Sequence, residues 1–280
     1  MDNCFVCGGT MNDYFVQHHR NPESGFSFDR QFIKCERCGL VIDKTSYDMS
    51  PQERADINDK TVIQDYQHIQ QSEAHLRRDN RIHRQALFMY QVLRTGLIPD
   101  DGRIVDYGCA TGELAKYVSL LKESNHEKIP NILLYDRFYH VCGGGYITDE
   151  EVTPNSFDAV ISCAVFEHLH GKEDIDPILN LLNEHGILFL HTLVCEEVPK
   201  DPDWYYLMTG HITMWTNAAM THLYDSRGYV GCAYNVDARM WMFFKDKAQY
   251  LNFQSKKDSV EGTTIFSEHF IDYWKQKPYR

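Results

Sequence analysis

The sequence has no long apolar run: charged residues break every hydrophobic stretch well before the ~20 residues a membrane-spanning helix needs. The opening Met1-Asp2-Asn3-Cys4-Phe5 lacks the basic and apolar segments of a signal peptide, so the expected location is the cytoplasm, with no membrane partner. Positive charge is also scarce. Lys and Arg number 28 against 40 Asp and Glu, a net charge of -12, which argues against unaided grip on a phosphate backbone and hence against a nucleic-acid partner. Internal repeats and low-complexity tracts are absent too. The remaining composition, 43% hydrophobic and 24% charged over 280 residues, is that of a folded globular protein large enough to bury a core without disulfides. Its nine cysteines, an odd number, point to reduced thiols used for metal binding or packing.

Four of the nine form two pairs, Cys4-x-x-Cys7 and Cys35-x-x-Cys38. Each such turn places two sulfurs on one side of the backbone, and two turns brought together supply the four soft thiolates that zinc prefers. Gly8, Gly9 and Gly39 let the chain turn back so that backbone N–H groups can face the sulfurs. The long gap between the pairs leaves room for a loop at Asn21-Pro22-Glu23-Ser24-Gly25. The pattern resembles a zinc ribbon in residues 1–45. A closed four-thiolate site has no open position, so its role is folding and placement, not catalysis. The rival, a redox dithiol, lacks the βαβ context such motifs occupy.

A helical linker or lid follows over 46–98. Ser50-Pro51-Gln52-Glu53 reads as a capping box with proline at the first helical position, and apolar residues recur at helical spacing from Ser72 to Gly96. Over 99–245 short β-like runs alternate with amphipathic segments, the signature of a parallel sheet flanked by helices. Strands are predicted at Arg103 to Asp106, Ile132 to Asp136, Phe157 to Ser162 and Gly186 to Thr192. Helices are predicted at Glu113 to Lys122, Asp174 to Asn183 and Asn217 to Arg227, with a terminal hairpin at Tyr229 to Val236 and Arg239 to Phe244. Residues 246–280 form a C-terminal extension with no assigned place.

The stretch Ile104-Val105-Asp106-Tyr107-Gly108-Cys109-Ala110-Thr111-Gly112-Glu113 is a strand, a small-residue turn and a helix start, which lets a ligand approach the backbone. A dinucleotide site requires G-x-G-x-x-G, but Ala110 and Glu113 stand at the second and third glycines, which disfavours NAD. Asp106 suits a nearby ammonium and Asp136 a ribose diol.

These residues resemble the first motif and acidic second-strand end of class I S-adenosylmethionine-dependent methyltransferases. The similarity continues through Ser156 to Ile161, Val165-Phe166-Glu167-His168-Leu169, Gly186 to Leu190, Gly210-His211 and Trp215-Thr216, covering about residues 72 to 245. The resemblance implies a Rossmann-like α/β fold with a seven-stranded sheet beside the small zinc-binding domain, and S-adenosylmethionine held by Asp106, Gly108, Ala110, Gly112 and Asp136. With the N-terminal module, it points to small-molecule and sugar methyltransferases of natural-product and surface-polysaccharide pathways. The short run from Asp136 to Phe157, with Gly143-Gly144-Gly145, suggests a missing or reduced second helix and leaves adenine contacts at Tyr146 and Ile147 weakly assigned. Some quinone-pathway relatives carry a magnesium site, E-x-x-E-H; Ala164 stands at its first acidic position, so that metal is not carried over.

The expected reaction is methyl transfer to a hydroxyl of a small polar acceptor, a sugar or sugar nucleotide. His211 is the first choice of base and His168 the second, with Glu167 orienting an imidazole or binding acceptor hydroxyls. The alternatives are C- or N-methylation, a catalytically dead scaffold, and a zinc-ribbon RNA methyltransferase. The last would use His18, His19, Arg20, Arg30, Lys34 and Arg37, which Asp13, Glu23, Asp29, Glu36 and Asp43 dilute. The cluster Trp204, Tyr205, Tyr206 and Trp215 reads as core or as a sugar-stacking wall.

Overall fold

The computed structural model describes residues 1–20, 27–50, 52–53, 73–137 and 144–272. The proposed loop at Asn21 to Gly25, Pro51, Ser72 and Gly143 lie outside the described residues. In chain order the elements are β1 (Met11–Arg20), β2 (Ser27–Cys35), β3 (Val41–Asp43), α1 (Lys44–Asp48), α2 (Glu73–Arg94), β4 (Ile104–Tyr107), α3 (Glu113–Asn125), β5 (Ile132–Tyr135) and β6 (Phe157–Cys163). They continue with α4 (Lys172–Leu179), β7 (Leu182–His191), β8 (Val194–Cys195), β9 (Thr213–Thr216), α5 (Asn217–Ser226), β10 (Gly231–Asn235), β11 (Met240–Phe244), α6 (Lys247–Ser255) and β12 (Thr264–Ser267).

Seven strands form the main sheet in the order β12-β10-β11-β7-β6-β4-β5. The pairs β5–β4, β4–β6 and β6–β7 are parallel, while β11, β10 and β12 join antiparallel. Every residue of β10 and β11 is buried, because the sheet is covered on both faces and its strands read as continuous apolar runs. One face packs on α2 and α3, where Phe88, Met89, Val92 and Leu93 meet Ile104, Leu114 and Val118. Parallel strands of this kind place their carboxyl ends along one edge, where open α/β sheets bind ligands.

The structure departs from the sequence reading in two places. The helix read at Asp174 to Asn183 runs instead from Lys172 to Leu179. Asn180 and Leu181 turn their carbonyls to the amides of Asn155, Ser156 and Phe157, and Leu182 pairs with Phe157 in the sheet. The seventh strand is β12, from the C-terminal stretch that the sequence left without a place. Beyond β5, where the short run from Asp136 to Phe157 suggests a missing or reduced second helix, the described residues show a bridge between Leu134 and Tyr146. Ser50 and Glu53 do form the capping box: Ser50 N–H donates to Glu53 Oε2 at 2.8 Å and Glu53 N–H to Ser50 Oγ at 3.3 Å.

A second sheet, β1-β2-β3-β9-β8, joins the N-terminal module to the main body. Strands β1 to β3 come from the cysteine module, whereas β9 and β8 come from the region after β7, with Ile42 paired to Thr213 and Val41 to Met214. No described helix is long and apolar enough to cross a membrane.

Candidate active site and cysteine cluster

The β4–α3 turn places its small residues at the carboxyl edge of the sheet. Gly108 (φ +75°), Ala110 (φ +48°) and Gly112 (φ +70°) are all left-handed. That conformation favours glycine, and a Cβ on Gly108 would lie 2.6 Å from Val165 Cγ2, one on Gly112 2.7 Å from Leu134 Cδ1. The two glycines are therefore required first by the chain's own packing. Ala110, exposed, donates its N–H to Asp136 Oδ2 at 2.9 Å and accepts from the Tyr146 hydroxyl at 2.6 Å. Asp136, at the end of β5, thus meets the loop directly.

Asp106 is buried at the end of β4, and burial, with the Asp136 charge second, pushes its carboxyl up to about 7. A buried carboxyl of this kind is well placed to accept a cationic ligand group that restores its charge. On the other side of the edge, α2 brings Arg81 and Gln85. Arg81 Nη1 lies 3.2 Å from His191 Nε2, and His191 Nδ1–H donates to the Arg239 carbonyl at 2.6 Å. Arg81 Nε, Gln85 Nε2 and Ser162 Oγ are buried with no hydrogen-bond partner in the protein. Native interiors rarely leave such atoms unpaired, so a polar ligand fits there. A cation partner in Asp106, a tight loop at Asp136 and unsatisfied donors opposite suit the ammonium, ribose and carboxylate of S-adenosylmethionine.

Residues 77–232 match the methyltransferase domain family. The chain belongs to that family and is an S-adenosylmethionine-dependent methyltransferase. No curated protein matches its sequence. Among solved structures, the methyltransferase is similar to the CMeT domain of the citrinin polyketide synthase, at 15% identity and TM-score 0.35, over 52% of this chain and 46% of that one. It thus spans under half the length of that domain structure. It is also similar to a possible histamine N-methyltransferase from Thermotoga maritima (11% identity, TM-score 0.37, 64% of this chain and 98% of that one). A third is an amino pentose methyltransferase from Micromonospora echinaspora (14%, TM-score 0.37, 66% and 97%). Likenesses this distant say nothing of the acceptor.

The turn after β6 and the segment before β9 bring Glu167, His168 and His211 of the methyltransferase together. One ligand-capable atom from each lies within 4.8 Å of the others. His211 is buried and His168 exposed, with ring centroids 5.0 Å apart, edge to face. Nδ1 of His211 lies 2.9 Å from the Tyr206 carbonyl and Nδ1 of His168 2.8 Å from that of Gly210. Each therefore donates Nδ1–H to a carbonyl, which leaves Nε2 as the lone pair. Burial, then the neighbouring His168, pushes His211 down to about 4, so it stands neutral. Burial would raise the Glu167 carboxyl, but the His168 and His211 rings hold it below the usual glutamate range, aided by a 2.8 Å bond from the Thr192 hydroxyl.

Of the aromatic cluster, Trp215 is fully buried and donates to the Phe166 carbonyl at 3.0 Å. Tyr206 is buried against the His211 ring at 4.4 Å, and its hydroxyl receives the Leu193 N–H at 3.1 Å. Tyr205 is 60% exposed and supplies a ring face to solvent. Sequence reasoning missed Arg81, Gln85 and Thr192; the periodicity of α2 marks only its apolar stripe, and Thr192 lies just beyond a strand end.

The four module cysteines also converge. Their sulfurs lie within 4.8 Å of one another, with Cys4 Sγ to Cys38 Sγ at 3.7 Å and Cys7 Sγ to Cys35 Sγ at 3.4 Å. Both turns close alike, Gly8 N–H to the Cys4 carbonyl at 2.9 Å and Gly39 N–H to the Cys35 carbonyl at 3.0 Å. Gly8 and Gly39 are left-handed, at φ +74° and +73°. All described cysteines are free thiols. Four thiols in two matching turns suit tetrahedral zinc. Several basic residues of the module are paired with acids: Arg30 with Asp43 in the interior, and His18 with Asp29 and Lys34 with Glu197 at the surface.

Proposed function

We propose that the protein methylates a hydroxyl of a small polar acceptor, a sugar or sugar nucleotide, in the cytoplasm. The observation that carries this reading is the convergence of Glu167, His168 and His211 at the edge where the Asp106 loop ends. Bound S-adenosylmethionine supplies an electrophilic sulfonium methyl group. Asp106 would hold its ammonium and Asp136 its ribose hydroxyls, with Gly108, Ala110 and Gly112 shaping the loop that admits it. The protein's remaining task is to align the acceptor oxygen and take its proton. His211 is neutral, with its Nδ1–H committed to a carbonyl, so its Nε2 accepts that proton; His168 is the second choice. Glu167 balances the imidazolium that results and orients the acceptor. Tyr205 offers a stacking face for a sugar ring.

Cys4, Cys7, Cys35 and Cys38 hold one structural zinc, which fixes residues 1–45 against the methyltransferase core, whose main sheet is completed by β12 from the C-terminal stretch. The burial of Arg30 against Asp43 and the neutralisation of Lys34 by Glu197 support a small-molecule acceptor over RNA. Incubating the protein with S-adenosylmethionine labelled at the methyl group and a panel of sugars, sugar nucleotides, amines and short RNAs tests this. Label transferred to a hydroxyl of a sugar compound supports the reading, and label on an amine or RNA overturns it. Turnover that requires added magnesium or manganese would make Glu167, His168 and His211 a metal site in place of a base.

A further inference from the structure

Arg30 lies on β2, five residues before Cys35, and is fully buried. Its guanidinium is bonded on all three nitrogens. Nε donates to Asp43 Oδ2 at 2.8 Å; Nη1 donates to Gln17 Oε1 at 3.1 Å and to the Leu207 carbonyl at 2.7 Å; Nη2 donates to the His211 carbonyl at 2.9 Å. The group also lies 5.0 Å from the centroid of the Phe32 ring. Asp43, the partner, donates its own N–H to the Ile212 carbonyl at 2.8 Å, and Ile212 N–H reaches the Glu167 carbonyl at 2.7 Å. One ion pair of the cysteine module thus grips the chain at residues 207, 211 and 212, on both sides of the His211 side chain.

A buried ion pair is weak evidence for stability, because desolvation offsets most of its attraction and an apolar pair of the same volume often serves as well. What the pair does supply is direction: a planar fork can hold two carbonyls, an amide oxygen and a carboxylate in fixed relation, which an ammonium cannot. The carbonyl it holds belongs to the residue whose imidazole projects to Glu167 and His168. We infer that Arg30 is a positioning residue for His211, so that the cysteine module forms part of the frame of the acceptor site. This rests on the reading of His211 as the group that receives the acceptor's proton.

The test uses the full chain carrying Arg30→Lys. Histidine ring nitrogens are followed by two-dimensional 1H–15N spectra, with the His211 signals assigned by their loss in His211→Gln. In the parent protein His211 shows one neutral form protonated at Nδ1. In Arg30→Lys that signal averages between the two tautomers or broadens, while S-adenosylmethionine affinity, measured by calorimetry, stays within about twofold because the cofactor residues share no partner with Arg30. Should the lysine variant fail to fold, the paired change Arg30→Gln with Asp43→Asn leaves no unpaired buried charge and carries the same measurement. An unchanged His211 signal in a folded variant overturns the inference. So does a parallel loss of cofactor affinity, which would make Arg30 merely structural. Failure of the base reading shows separately, as normal turnover by His211→Ala, and leaves the ring measurement intact.

Discussion

The Ala110 N–H donates to Asp136 Oδ2 at 2.9 Å, so the residue standing at the middle glycine of the loop is held by the carboxylate assigned to the ribose. Loop and Asp136 are one unit. Substituting Asp136→Ala removes both the loop anchor and a charged acceptor, and weakens S-adenosylmethionine binding by about 1 to 3 kcal/mol. Calorimetric titration measures it, and unchanged affinity would place the cofactor elsewhere.

Asp106 gives the binding a pH dependence. Its folded-state carboxyl, raised to about 7, lies above the unfolded value, so the stability it contributes is full below the ordinary carboxylate range and is lost as pH rises through 7. A cationic ligand reverses that sign, because it favours the ionised form. Cofactor affinity is expected to strengthen about tenfold from pH 5.5 to 7.5, and the dependence to vanish in Asp106→Asn. Flat affinity across that range in the parent protein would show that Asp106 does not face the ammonium.

Purified protein prepared without chelators is expected to carry one zinc per chain. Cys35→Ser loses the metal, and because thiolate–zinc bonds contribute directly to folding, thermal unfolding shifts down by several degrees or more. Full zinc occupancy in that variant would rule out the four-cysteine site.

His211→Ala is expected to lower turnover with the true acceptor by roughly a hundred to ten-thousand-fold while cofactor affinity holds. If His168→Ala shows the loss instead, the two exchange roles.

What was legible in the sequence lies where the chemistry is local. Gly108 and Gly112 carry left-handed turns that few other residues accept, and Asp106 and Asp136 close the two strands beside them, so the tight strand-to-helix loop announces itself within a few dozen residues. The same holds for the two cysteine turns, each complete with its glycine. Glu167 and His168 were readable as a pair, and His211 by its place after β7, but their convergence depends on how two loops pack. Arg30 looked like one more basic residue of a ribbon; only the fold shows it buried against Asp43 and His211. Likewise β12 has an unremarkable sequence, Thr264-Ile265-Phe266-Ser267, and becomes a strand because β10 presents an unpaired edge. Long-range pairing leaves no local mark on the residues that accept it.

The pairing of β3 with β9 bears on how the chain comes to be folded. Val41 and Ile42 are synthesised long before their partners Met214 and Thr213, which arrive only after β4 to β7 of the main sheet have been made. Until then β3 is an open edge of apolar residues, the kind that pairs with other chains when left waiting. Two cysteine turns closed early around a metal would hold that edge in a small, ordered unit. On this view the cluster protects the nascent chain for the interval before β9 emerges, and metal starvation during synthesis would appear as aggregation of new protein while molecules already folded remain soluble.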